Sequence, residues 1–78
     1  MTLADMKPGQ HGHITSIEVD QASIVRLMVL GLIEDVPVRV ENVAIGGDPI
    51  EISVYGSSIS IRRQDARQFE VTLGLANG

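Results

Sequence analysis

Four stretches of this chain set an aliphatic or aromatic residue at every second position: Val36, Val38 and Val40; Ile50, Ile52 and Val54; Ile59 and Ile61; and Phe69, Val71 and Leu73. Period two is the repeat of a strand with one buried face. Turn chemistry separates the stretches. Gly46-Gly47-Asp48-Pro49 is a tight connection, and Gly56-Ser57 turns the chain between Ile50–Val54 and Ile59–Ile61, which therefore read as a hairpin. Gly12 to Val19 reads as a further strand, with Ile14 on one face and Ile17 and Val19 on the other; a bulge near Thr15-Ser16 reconciles them. Val43 and Ile45 switch parity in the same way, which predicts a second bulge near Glu41-Asn42. Pro37 keeps the start of its strand at an edge or a bend. Lys7-Pro8-Gly9-Gln10 is an expected turn, Gln64-Asp65-Ala66-Arg67 an expected helical turn, and Ala76-Asn77-Gly78 an expected frayed end.

The chain has 78 residues, so these strands belong to one small domain, 1–78. Five short strands with one apolar face and two bulges predict a mainly β fold, a small five-stranded barrel. Closure hides edges that would otherwise pair with other chains, and bulges supply the bends that closure needs.

One helix interrupts the pattern. Asp20 is the expected N-cap, the helix runs from Gln21 to Leu30, and Gly31 stops it as a left-handed C′ residue, so that the element covers about residues 21–31. At about 100° per residue its apolar side chains do not form one stripe. Ile24, Val25, Met28 and Leu32 share a broad sector, Leu27 and Leu30 lie to one side of it, and Val29 and Ile33 to the other. Arg26 and Ser23 are nearly all of the polar side. A helix apolar all round needs more protein around it than a chain of this size supplies. Part of it is expected to stay exposed, and an exposed apolar patch marks an interaction site. The competing reading is that residues after Leu30 leave the helix and turn inward. The leading contact candidates are Arg26, Leu27, Leu30 and Leu32, with Tyr55, the single tyrosine, as a further anchor or an ordinary half-exposed strand residue.

Composition excludes several functions. There is no cysteine, which removes disulfides, thiolate metal sites and thiol nucleophiles, and points to a reducing, cytoplasmic setting. The net charge is −4, the wrong sign for a duplex nucleic-acid binder, and Tyr55 and Phe69 are too few for base stacking. No signal peptide is expected at Met1–Pro8, and the longest apolar run, Ile24 to Ile33, is broken by Arg26 and far short of the roughly 20 residues that span a bilayer. No nucleophile triad, zinc-protease helix or dinucleotide fingerprint is present, so no catalytic residue and no cofactor is assigned and no enzyme activity is expected.

His11 and His13 share a strand face and could meet one metal, but two ligands make no site, and exposed polar residues are the favoured reading. Gly46-Gly47-Asp48 lacks the Lys and Ser or Thr of a phosphate loop; Asp48 is expected to accept bonds from its own turn. Arg62 and Arg63 point to opposite faces, with Arg63 expected to cover the barrel end and pair with a carboxylate.

The ordered set Leu3-x-x-Met6-x-Pro8-Gly9, Arg26-Leu27-x-x-Leu30-Gly31-Leu32, Val38-x-Val40, Gly47-Asp48-Pro49-Ile50, Gly56 and Ile59-Ser60-Ile61-Arg62-Arg63-x-Asp65-Ala66 resembles the FeoA family of ferrous iron transport accessory proteins across almost the whole chain. The resemblance implies an SH3-like barrel with an inserted helix. It also implies a cytoplasmic protein that acts by contact with FeoB, the membrane iron transporter carrying a GTPase domain, without inserting into the membrane. The chain departs from the family pattern at Glu34-Asp35, where a Pro-Gly turn is common, and at Ile45, where a Pro often stands. Two alternatives stay open: a self-associating SH3-like module, and a metal-responsive domain like those ending iron-dependent regulators.

Overall fold

The computed structural model describes residues 1–74. After a short 3-10 turn at Leu3–Asp5 come β1 (His11–Ile17), α1 (Ala22–Val29), β2 (Pro37–Val43), β3 (Ile50–Val54), β4 (Ser57–Ile61), α2 (Arg63–Ala66) and β5 (Phe69–Leu73). The expected turn at Lys7–Gln10 is present, closed by the Gln10 amide on the Lys7 carbonyl at 2.9 Å. The residues Ala76, Asn77 and Gly78, expected to fray, lie outside the described residues.

The strands form one antiparallel sheet in the order β4-β3-β2-β1-β5. Both expected bulges are there: the register shifts between Ile14 and Ser16 against β5, and between Val40 and Asn42 against β3. Each bends the sheet and returns the following apolar residue to the face it needs. Pro37 is tolerated in an interior strand because it is the first residue of β2.

The sheet curls but does not close, which corrects the expectation of a sealed barrel. β4 and β5 are its two ends and do not pair with each other; α2 carries the chain from one to the other. The gap is filled by side chains. Leu3 from the opening turn, Ala66 from α2 and Phe69 from β5 are fully buried beside Ile14, Ile24, Leu32, Val40, Ile50, Ile52 and Ile61. Gly12 is required where β1 meets β5, since a Cβ there would collide with the Thr72 carbonyl.

α1 begins one residue later than expected. Gln21, not Asp20, is the N-cap, and it makes no side-chain capping bond. The far end follows the glycine rule closely. Gly31 has φ +118, its amide bonds the Met28 carbonyl at 3.0 Å, and the Leu32 amide bonds the Leu27 carbonyl at 3.1 Å. That pair of bonds is the Schellman closure, which brings the residue after the glycine back over the last helical turn.

Candidate functional site

The Schellman closure decides which helix residues face outward. Leu27 and Leu32 are brought together by it and both are in the core, 7% and 0% exposed. Two of the expected contact residues are thereby withdrawn from the surface: they are what holds α1 to the sheet. The reading that residues after Leu30 turn inward is correct for Leu32 and not for Ile33, which stays exposed.

The rest of the helix behaves as a patch. Ile24 and Leu27 define the buried side of α1. On the opposite side Val25 and Val29 are one turn apart; Val29 is 81% exposed. Leu30, at the helix end, is 56% exposed, and Arg26 lies exposed between these side chains with no ion-pair partner among the described residues. Val19 and Ile33 extend the apolar surface beyond the helix, where with Ile17 and Met28 they line a shallow groove of about 440 Å³. Asp35 shapes the adjoining loop. Its φ of +72 is a left-handed conformation a glycine would take freely, and its amide is held by the Ile14 carbonyl at 2.7 Å.

A second surface lies on the outer face of the sheet. An open cleft of about 700 Å³ is lined by His11, His13, Pro37, Arg39, Ser53 and Tyr55. The ladder explains the grouping, because His11 faces Arg39, His13 faces Pro37, and Arg39 faces Ser53. Tyr55 is not a strand residue as expected. It is the first residue of the β3–β4 turn, with φ +49, and its ring is 77% exposed. Tyr55 is therefore remote in sequence from the helix patch and belongs to the sheet cleft. His11 and His13 do line one surface, yet among the described residues no group of three or more His, Asp or Glu side chains is placed to hold a metal ion.

Arg63 joins three segments. Its Nε donates to the Gly47 carbonyl at 2.8 Å, an Nη donates to the Ala4 carbonyl at 2.6 Å, and its own amide donates to Asp48 Oδ1 at 2.9 Å. The expected carboxylate partner is replaced by carbonyls, and Asp48 serves this amide, not those of its own turn. Ser23 Oγ donates to Asp65 Oδ1 at 3.2 Å, tying α1 to α2, and Asp65 is nearly buried. No local pattern points to the Ser23–Asp65 pair; only the fold brings together residues so far apart in the chain. No helix among the described residues is long and apolar enough to cross a membrane.

The model of the FeoA domain family matches residues 1–73. Among solved structures, the chain is similar to the FeoA protein of Chlorobium tepidum, with 35% identity and a TM-score of 0.88 over 100% of this chain and 73% of that one. It is similar to the iron(II) transport protein A of Clostridium thermocellum at 27% identity and a TM-score of 0.87, covering 94% of this chain and 45% of that one. The Stenotrophomonas maltophilia FeoA complexed with zinc, described as a prokaryotic SH3 domain protein, shares the fold at 24% identity and a TM-score of 0.81, over 92% of this chain and 89% of that one. No curated protein gives a significant match.

Proposed function

The chain belongs to the FeoA domain family, and from that premise we propose that it is an accessory protein of ferrous iron transport that docks on the cytosolic GTPase domain of FeoB. Membership supports the iron transport setting, since a similar protein is named an iron(II) transport protein. The docking rests on one observation: the outward side of α1 presents Val25, Val29 and Leu30 around Arg26, with Val19 and Ile33 beside them. A small domain gains nothing for its own stability from valines in water, whereas each large aliphatic side chain buried against a partner contributes roughly 1.5–3 kcal/mol before association costs. Arg26 sits where a cation can meet a carboxylate at the rim. The action is contact, and docking shifts the transporter's conformational balance by its difference in affinity for the two states. Leu27 and Leu32 support this surface from beneath and do not touch the partner.

The test is calorimetric titration of the chain into the soluble GTPase domain, with and without guanine nucleotide. Val29→Glu is expected to weaken binding at least about tenfold while thermal stability stays unchanged. Binding unaffected by that charge would remove α1 from the account.

A further inference from the structure

The two ends of the sheet are finished differently. At β5 the N-terminus covers the outer edge: Thr2 bridges to Glu70, the Val71 amide donates to the Met1 carbonyl at 2.9 Å, and the terminal ammonium reaches Glu70 at 3.4 Å. At β4 no segment among the described residues does this. The β3–β4 turn shows which groups are left. Tyr55 and Gly56 both have positive φ, +49 and +83, as a two-residue type I′ hairpin requires. Such a turn closes on a hydrogen-bonded pair, here Val54 with Ser57. Pairs then alternate along an antiparallel ladder, so Ile52–Ile59 and Ile50–Ile61 are bonded pairs as well. Ser58 and Ser60 therefore aim their N–H and C=O groups away from β3. Both residues are exposed, and neither main chain has another backbone partner among the described residues.

Edges of this kind are normally blunted by a charge, a proline or a bulge. β4 reads Ser57-Ser58-Ile59-Ser60-Ile61 and has none of them. Every other strand carries a charged or imidazole side chain: His11 and His13 in β1, Arg39 and Glu41 in β2, Glu51 in β3 and Glu70 in β5. We propose that the β4 edge pairs antiparallel with β4 of a second copy of this chain, about a two-fold axis at Ile59. In that register Ser58 of one copy faces Ser60 of the other, and Ser60 faces Ser58. Both pairs exchange main-chain bonds, both set hydroxyl against hydroxyl, and Ile59 and Ile61 stay on the core side. A chain with net charge −4 repels its copies, but nothing on this strand adds to the repulsion. The same register carries the exposed Tyr55 ring at the start of one β4 toward the exposed Arg62 at the end of the other, a cation-over-ring contact. The second copy is favoured over a foreign strand because the strand's register is self-complementary. The outward side of α1 is not used, so this inference is independent of the docking reading.

Association through so short an edge is weak, with half-pairing expected near about 0.1–1 mM. Sedimentation and amide NMR of the full chain between about 10 µM and 1 mM test it. The expected result is a monomer–dimer equilibrium in which the Ser58 and Ser60 amides shift and gain exchange protection with concentration, while those of Val25, Val29 and Leu30 do not. Ser58→Lys with Ser60→Lys places like charges opposite each other across the axis, and Ser58→Glu with Ser60→Lys places opposite ones; the second double variant should associate at least about tenfold more tightly than the first. Equal behaviour of the two overturns the proposal. So does a monomer throughout the range, or concentration-dependent shifts confined to α1.

Discussion

The junction around Arg63 and the outward side of α1 are neighbours, linked by the Ser23–Asp65 bond, and they are built on opposite terms. At the junction the chain assembles polar groups from distant positions and leaves them satisfied. The guanidinium holds the carbonyls of Gly47 and Ala4, the amide behind it is held by Asp48, and among the described residues no buried side-chain nitrogen or oxygen lacks a partner. Along α1 the chain places apolar side chains that no segment among the described residues covers. The junction is internally complete, and substitutions there should be read out as lost stability. The helix face, on the docking proposed above, is completed by a partner, and substitutions there should be read out as lost binding. A single helix contains the boundary between the two regimes, since Leu27 and Val29 are two residues apart and on opposite sides.

The comparison is broken most directly by truncating those two residues. Leu27→Ala removes a packed core side chain and is expected to cost about 2–5 kcal/mol in urea unfolding. Val29→Ala should change stability by no more than about 0.5 kcal/mol, because its side chain touches water and alanine is the better helix former. If the proposed docking on the FeoB GTPase domain holds, titration against that domain reverses the order, with Val29→Ala binding more weakly and Leu27→Ala binding normally wherever it remains folded. Equal destabilisation by the two would mean that α1 has no outward side in solution.

The junction gives the next largest effect. Arg63→Ala strands two carbonyls that now receive charged donors, one loop and one 3-10 turn apart. A hydrogen bond to a charged group is worth about 1.5–3 kcal/mol when buried, and water reaches this half-buried site, so a total near 2 kcal/mol is expected. For a domain of this size that is a fall of about 8–16 °C in Tm. Arg63→Lys should recover less than half of it, since an ammonium cannot present the planar fork that spans both carbonyls. Full recovery by lysine would reduce the junction to a matter of charge alone.

How much of this was legible in the sequence follows the range of each interaction. Period-two alternation and the parity switches at Ser16 and Asn42 are local, and they placed the strands and both bulges. The Gly31-Leu32 step is local as well. It marks the Schellman closure, which puts Leu27 and Leu32 in the core, whereas the helical wheel spreads apolar residues all round, Leu27 among them, and, run on past Leu30, adds Leu32 to the outward set. Alternation runs one residue too far and puts Tyr55 in a strand; the glycine after it is the cue to a two-residue turn. Closure of the barrel and the partners of Arg63 were not legible. Both depend on where α2 and the opening turn lie against the sheet ends, which no local pattern encodes.

The smallest expected effect sharpens the account of that opening turn, which supplies Leu3 to the core and the Ala4 carbonyl to Arg63. Asp5 stabilises it by accepting the Thr2 amide at 2.9 Å and, more loosely, the Thr2 hydroxyl at 3.3 Å. The Thr2 amide is the main reason the Asp5 carboxyl is held below its ordinary value; the Thr2 hydroxyl, the terminal ammonium and Arg63 pull in the same direction, against a partial loss of hydration. A carboxyl whose pKa is lower in the folded state binds protons more readily when unfolded, so its contribution is complete above the unfolded value of about 3.9 and is lost as pH falls through the lower folded value. Asp5→Asn keeps an acceptor for the amide but has no proton to gain. Wild type and Asp5→Asn should therefore differ slightly in stability at pH 7 and converge as the solution is acidified below about pH 4. A difference that persists unchanged into strong acid would show that the turn depends on the shape of the side chain and not on its charge. The coupling of the N-terminus to the junction would then rest on Leu3 packing and the Arg63–Ala4 bond alone.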